Sequence, residues 1–263
     1  MKPSAFNYAK PSSVDEVLGL LSEYGDEATI LAGGQSLVPT MNMRLSAPSL
    51  VIDINGLAEL SGISSNGESL RIGALTRHVE IENSPEIAEH APLITMAMPS
   101  IAHPAIRNRG TMGGSIAMAD PAAEMPACLC ALGAEIEITG GSGARKVAAT
   151  DFFKGLYDTD LGDDEIITAI EIPKISAGYR SAFDELARRH GDYAMCGAAA
   201  HAKVDGLVIS DLRLVFFAVG GTPVVAAAVG SAMADQTVDE TSIAAAQHAV
   251  EDDLSPFDDL QCS

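Results

Sequence analysis

Two short glycine-bearing stretches, far apart in the chain, carry the residue types that bind an anion. The longer is Arg107–Pro126, RNRGTMGGSIAMADPAAEMP, where Gly110, Gly113 and Gly114 are set among Thr111 and Ser115, with Arg107 and Arg109 just upstream. The shorter is Ile30-Leu31-Ala32-Gly33-Gly34-Gln35-Ser36-Leu37. Glycine permits positive φ and close approach of the backbone to a ligand. Successive exposed N–H groups in such a turn form a concave nest for an anion, and the hydroxyls add further donors. Two such loops in one chain suggest a pyrophosphate held between them. Each Gly-Gly pair alone is equally the sequence of an ordinary turn. Neither loop matches the dinucleotide fingerprint G-x-G-x-x-G or the phosphate loop G-x-x-x-x-G-K-S/T.

The remaining reactive residue types form no recognisable set. His78, His90, His103, His190, His201 and His248 have no metal-ligand spacing, and no Ser-His-Asp arrangement can be argued. Cys128, Cys130, Cys196 and Cys262 fit neither a zinc nor an iron–sulfur pattern and read as buried thiols of a reducing compartment. Arg107 and Arg109 could ease anion binding or pair with the abundant carboxylates, and the internal role is preferred.

Several elements position the loops. Ser13-Val14-Asp15-Glu16 reads as a capping box that opens a helix with Val14, Val17, Leu18 and Leu21 on one face, stopped at Gly25. Ala28–Leu31 is a strand running into the first glycine loop, 37–43 a short helix and 50–54 a buried strand, together a small β-α-β-type unit. Short strands at 60–63 and 70–72 flank Asn66-Gly67, a hairpin signal. Thr76 is read as a helix cap, 93–98 as a helix, and Asp120 as an N-cap with Pro121 at the first helical position. Strands at 135–139 and 145–148 flank a Gly-rich turn, and 166–172 ends at Pro173. The middle segment thus reads as mainly short strands. Beyond Tyr179, long strands 194–204 and 207–219 are joined through Asp205-Gly206, and 224–233 and 242–250 read as Ala-rich helices. Three domains follow, at about 1–56, 57–176 and 177–263, with no internal repeat.

The chain has 263 residues, 47% of them hydrophobic, which is enough for two or three small cores. With 16 basic and 36 acidic residues its net charge is −20, a surface that repels nucleic acid and anionic membranes. The N-terminus lacks the apolar core of a secretory signal, and no run is long enough to span a bilayer. A cytoplasmic location follows, with the inner membrane face reachable only through partners.

The two loops, with RNRGT ahead of the second and DPAAEMP after it, resemble the FAD-binding medium subunit of the molybdenum hydroxylases. That family includes subunits of aerobic carbon monoxide dehydrogenase and of N-heterocycle hydroxylases, and the flavin domain of xanthine dehydrogenase. The likeness extends through MKPSAFNYAKP, LVIDINGL at 50–57, EIITAIEIP at 165–173 and FDELARRHGDYAM at 183–195, nearly the whole chain in order. AGGQSL and ARRHGDYA resemble the subunits acting on N-heterocycles of the quinoline or nicotine type. Family members often run on with a further helix beyond the point where this chain stops.

The resemblance implies an α+β chain: a two-domain FAD-binding fold of the vanillyl-alcohol-oxidase-like type, then a C-terminal α+β domain with a small antiparallel sheet. It implies non-covalent FAD between the first two domains. Contacts would come from Ala32, Gly33, Gly34, Gln35, Ser36 and Leu37 of the first loop and from Thr111, Gly113, Gly114 and Ser115 of the second. Ile101 and Ile167 match positions that touch the cofactor, although on their own they read as core. Glu124 matches an acidic family position, often Asp; on its own it reads as a solvated first-turn acid favoured by the helix dipole. Tyr193 would cover the flavin ring, or be an ordinary strand-edge tyrosine. Asp184 falls where the xanthine dehydrogenase branch has Lys, and that role is not carried over. No catalytic residue and no metal ligand is assigned to this chain. The implied partners are a large molybdenum-cofactor subunit and a small subunit with two [2Fe-2S] clusters, in a dimer of heterotrimers. A free-standing flavoenzyme and a flavin-less interaction module are the alternatives.

Overall fold

The computed structural model describes residues 2–256; Cys262 and the stretch 260–263 lie outside them. Three strands, β1 (Asn7–Ala9), β2 (Ala28–Leu31) and β3 (Leu50–Asp53), form a parallel sheet with β3 in the centre. Between β1 and β2 runs α1 (Val14–Tyr24), whose Val17 and Leu21 pack on Leu50 and Ile52 of β3. The Ser13 side chain caps this helix by accepting from the Glu16 N–H at 3.2 Å, while the Glu16 carboxylate reaches back to the Ser12 N–H at 2.7 Å. Gly25, at φ 53°, ends it. Helix α2 (Leu37–Asn42) follows the first glycine loop.

A five-stranded sheet comes next, in the order β4-β5-β10-β6-β7, with every pairing antiparallel. Its strands are β4 (Ile63–Asn66), β5 (Ser69–Gly73), β6 (Glu135–Gly140), β7 (Gly143–Ala148) and β10 (Glu165–Pro173), with a small hairpin of β8 (Phe153–Gly155) and β9 (Asp158–Thr159) inserted before β10. Between β5 and β6 lie α3 (His78–Glu82), α4 (Pro85–His90), α5 (Pro92–Ala97), α6 (Pro104–Arg107), α7 (Met112–Met118) and α8 (Glu124–Leu132); α9 (Ala149–Phe152) follows β7. Pro at the first turn of α4, α5 and α6 opens these short helices, because its missing N–H would have no partner there.

The third segment is an antiparallel sheet of β11 (Tyr179–Ala187), β12 (Ala194–Asp205), β13 (Val208–Phe217) and β14 (Val224–Val225), with β15 (Gln236–Thr237) on β13 and with α10 (Ala227–Met233) and α11 (Glu240–Asp253). All nine residues of α8 are buried, because this sheet and the five-stranded one share a core around the helix: Ile136 and Ile170 come from one side, Ala199, Val215 and Phe217 from the other.

Several local expectations are corrected. Thr76 does not cap a helix: its hydroxyl is held between the Gly62 N–H at 2.9 Å and the Gly62 carbonyl at 3.0 Å, and Arg77 takes the N-cap position. Asp120 does not cap α8 either. Its side chain turns onto the Ala122 N–H at 3.0 Å, and the helix starts only at Glu124. Leu60 lies in a one-turn 3₁₀ segment rather than a strand, and Val224-Val225 pairs with β13 instead of starting a helix. Asp205 pairs with Val208, so the hairpin turn is Gly206-Leu207, one residue later than expected. The middle segment carries seven short helices and the nine-residue β10, not mainly short strands, and β11 is a full strand.

Candidate functional site

The two glycine loops meet. The segment 109–113 is zipped against 74–78: the His78 N–H donates to the Gly110 carbonyl at 3.0 Å, Met112 to Thr76 at 3.0 Å and Gly113 to Ala74 at 2.8 Å. This carries the second loop alongside β5 and onto the first. A Cβ on Gly33 would stand 2.4 Å from the Arg109 carbonyl oxygen and 2.9 Å from the Gly110 Cα, so only glycine allows the loops to abut. Arg77 ties them from the side, donating to the Arg109 carbonyl and, at 2.5 Å, to the Asn55 side-chain oxygen. Asn55 in turn donates to the Ala32 carbonyl at 2.8 Å and to Asp53 at 2.6 Å, so the end of β3 supports the first loop. Sequence reasoning assigned neither Arg77 nor Asn55 a role. Asn55 lies within a quoted stretch, whereas nothing local distinguishes Arg77.

The loops differ in what they offer an anion. In the first, Gly34 has φ 73°, and among the described residues the backbone N–H groups from Gly33 to Leu37 have no acceptor within the chain. In the second, none of Gly110, Gly113 and Gly114 has positive φ. Their neighbouring N–H groups are also engaged: Met112 and Gly113 with the 74–76 backbone, Gly114 with the Thr111 hydroxyl at 3.2 Å, Ser115 with the Thr111 carbonyl at 3.1 Å. The expectation of a backbone nest in both loops is therefore corrected: the nest belongs to the first. The second supplies hydroxyls and closeness. A Cβ on Gly113 would stand 2.6 Å from that of Ala74, and one on Gly114 would stand 2.7 Å from the Thr111 hydroxyl.

Around these loops lies a cleft of about 760 Å³, within the range of ligand sites. All fourteen residues that the sequence reading named line it: Ala32, Gly33, Gly34, Gln35, Ser36 and Leu37; Thr111, Gly113, Gly114 and Ser115; Ile101, Glu124, Ile167 and Tyr193. Ile101 and Ile167 are also core residues. Tyr193 is 72% exposed and enters the cleft wall from the third segment with Gly191 and Asp192. That loop is seated by Gly191, at φ 76°, where a Cβ would stand 2.6 Å from the Ala102 carbonyl. Arg107 is structural: buried, it pairs with Glu82 at 2.9 Å and holds the Ile101 and Ala102 carbonyls at 3.0 and 3.2 Å.

The cleft's charge is one-sided. Asp26, Asp120, Glu124, Asp163, Glu165 and Asp192 line it, and among the described residues no Lys or Arg does; Glu165 pairs with Arg145 at 2.6 Å and Asp192 with Arg189 at 3.3 Å from outside the lining, which leaves four carboxylates without an ion pair. Glu124 is 8% exposed, not the solvated acid expected at a helix start, and burial pushes its pKa up to about 7, with Glu185 and Asp120 adding to the shift. His78 is 5% exposed; burial pushes its pKa down to about 4, against the Thr111 backbone, and the Arg107 charge adds to the fall. Burial also raises the thiols of Cys128 and Cys130, the latter to about 12, so both are inert packing groups. Among the described residues no cluster of His, Cys, Asp or Glu is placed to hold a metal, and no helix is long and apolar enough to cross a membrane.

Residues 4–175 match the family model of the FAD binding domain in molybdopterin dehydrogenase, and residues 181–263 match the CO dehydrogenase flavoprotein C-terminal domain. The chain belongs to this family. It is 40% identical over 257 residues to the 6-hydroxypseudooxynicotine dehydrogenase complex subunit alpha of Paenarthrobacter nicotinovorans, covering 97% of this chain and 87% of that one. It is 36% identical over 259 residues to the carbon monoxide dehydrogenase medium chain of Afipia carboxidovorans, covering 98% and 90%. The solved carbon monoxide dehydrogenase of Hydrogenophaga pseudoflava superposes with a TM-score of 0.97 at 36% identity, covering 100% of this chain and 92% of that one. As a member of the molybdopterin dehydrogenase flavoproteins, the chain is an oxidoreductase subunit with FAD as its cofactor. In carbon monoxide dehydrogenase-type complexes the molybdenum cofactor and iron–sulfur clusters belong to partner subunits. The cleft fits such a ligand: free N–H groups stand at one glycine loop, hydroxyl residues at the other, and Ile30, Ile101, Ile166 and Ile167 give apolar wall beside the carboxylates.

Proposed function

We propose that the cleft holds FAD non-covalently, and that the chain takes electrons from [2Fe-2S] clusters on a small partner subunit and passes them to an external acceptor. The observation that carries this reading is the run of N–H groups from Gly33 to Leu37, without acceptors among the described residues, in one cleft with the hydroxyl residues Thr111 and Ser115. FAD supplies the redox chemistry, accepting and releasing electrons one or two at a time; the protein supplies binding, orientation and electrostatics. Gly33 to Leu37 hold the pyrophosphate with preorganised backbone donors. Thr111 and Ser115 add hydroxyls, and Gly113 and Gly114 keep α7 close to Ala74 and Ala32. Ile101 and Ile167 supply apolar wall that excludes water. Tyr193 covers the ring system.

The partners in this reading are a large molybdenum-cofactor subunit, which oxidises the organic substrate, and the small iron–sulfur subunit, in a dimer of heterotrimers located in the cytoplasm. The division at about 56 and 176 leaves the cofactor between the first two parts, with the 188–193 loop reaching in from the third. The 6-hydroxypseudooxynicotine dehydrogenase relative supports an N-heterocyclic or related substrate for the complex.

A single-turnover assay tests the division of labour. The isolated chain is expected to bind FAD and to be reduced by dithionite, yet to stay oxidised when mixed anaerobically with candidate substrates. Reduction should follow once both partner subunits are added. Rapid bleaching by substrate without partners would make the chain a free-standing flavoenzyme.

A further inference from the structure

We propose that Glu124 is a proton site of the cofactor cleft: its carboxyl takes up a proton when the anionic cofactor enters, so that cofactor binding and protonation of this residue are one coupled event. The inference rests on the reading that this cleft takes FAD.

Glu124 is the first residue of α8, behind the turn that starts at Asp120. It forms part of the cleft wall yet is more than nine-tenths buried. Among the described residues no side chain donates a hydrogen bond to it, and its own backbone N–H is what favours the charged form. The titratable groups that face it offer no counter-charge. Asp120 comes from the preceding turn and Glu185 from β11, Tyr193 from the 188–193 loop, and Cys128 from the next turn of α8. Glu185 has one carboxylate oxygen buried without a partner and is itself raised by burial; the Ser100 hydrogen bond and the His190 charge act on Glu185, not on Glu124.

A carboxylate so placed ionises only reluctantly, which is why its pKa stands at about 7 before any ligand arrives. The pyrophosphate then adds negative charge to a cleft whose lining, among the described residues, has no Lys or Arg and in which Asp26, Asp120, Glu124 and Asp163 have no ion-pair partner. Nearby like charge raises a carboxyl pKa further. The balance is simple: the ionised carboxylate accepts one proton from the buffer, an O–H bond forms, and no bond in the cofactor changes. As a neutral acid Glu124 also becomes a hydrogen-bond donor in the cleft.

The sign follows from linkage. At pH 6 the free protein already holds the proton, so binding takes up almost none. At pH 8 the free carboxyl is ionised and binding takes up nearly one. FAD affinity therefore falls as pH rises above about 7, by at most about tenfold per pH unit.

Calorimetric titration of the flavin-free full chain with FAD, in buffers of different ionisation enthalpy at about pH 6 and about pH 8, reads the proton count directly. We expect close to one proton at the higher pH and close to none at the lower. Glu124→Gln should lose the uptake and bind FAD at the higher pH severalfold more tightly than the parent. Glu124→Asp should keep the uptake, and with the parent it decides the matter should the Gln variant not fold. FAD binding at the higher pH without proton uptake, or equal uptake by Glu124→Gln, would overturn the proposal. Failure of FAD to bind at either pH would overturn the cleft reading itself.

Discussion

The missing β-carbon of Gly33 faces the carbonyl oxygen of Arg109 at 2.4 Å, so the two glycine loops form one continuous wall. The carbonyl is backbone, fixed by its zipper to residues 74–78 and by Arg77, and cannot step aside cheaply. Gly33→Ala should therefore part the loops. Overpacking of this kind costs about 1–3 kcal/mol of stability. FAD affinity should fall at least about tenfold, equivalent to about 1.4 kcal/mol. Thermal unfolding and flavin-fluorescence titration measure the two losses. Gly114→Val should act differently, pushing on the Thr111 hydroxyl that caps α7, a cap worth about 1 kcal/mol. A Gly33→Ala protein with the parent's FAD affinity would show that loop contact does not shape the site.

The one-sided charge of the cleft gives a salt dependence opposite to that of most anion sites. FAD enters a wall of carboxylates on a chain of net charge −20. Salt screens that repulsion, with a Debye length of about 10 Å at 0.1 M. Raising the ionic strength from about 0.02 to about 0.3 M should tighten FAD binding severalfold. Equilibrium titration across that range would refute the electrostatic account if affinity fell.

Tyr193 is mostly exposed, so its removal should barely touch stability, changing it by less than about 0.5 kcal/mol. If its ring covers the flavin, Tyr193→Ala keeps FAD bound but alters flavin emission and the rate of reoxidation. Stopped-flow traces and emission spectra identical to the parent's would remove Tyr193 from the site.

His78 makes the fold acid-sensitive in a defined window. Its folded pKa, about 4, lies below the ordinary histidine value, so the unfolded chain binds the proton more readily. The stability this contributes is fully present above the unfolded pKa near 6.5 and is lost as pH falls from there toward about 4. The total is roughly 3 kcal/mol for a shift of this size. Denaturant melts between those limits, with the ring followed by NMR, test it; a His78 ring titrating near its ordinary value would contradict the assignment.

What the sequence determined on its own is local. Ser13 before an apolar helical face and Gly25 after it dictate where that helix begins and ends, because each acts on the backbone beside it; Pro121, read as a helix start, lies ahead of α8, which begins at Glu124. The strand Ala28–Leu31 running into Gly33-Gly34 could be read for the same reason, and the resemblance to a family pointed to fourteen residues that the structure brings to the lining of one cleft. What only the tertiary structure decided is which polar groups remain free. The second loop has the richer glycine and hydroxyl content, yet its N–H groups are consumed by residues 74–76 and by Thr111, leaving the backbone nest to the first loop. Asp120 has a capping residue's chemistry but spends it on Ala122, which lets α8 begin at a buried Glu124. Arg77 bridges the loops from a position with no motif. Hydrogen bonding and burial are settled by competition among segments that meet only on folding, and the type and spacing of residues along the chain do not record who wins.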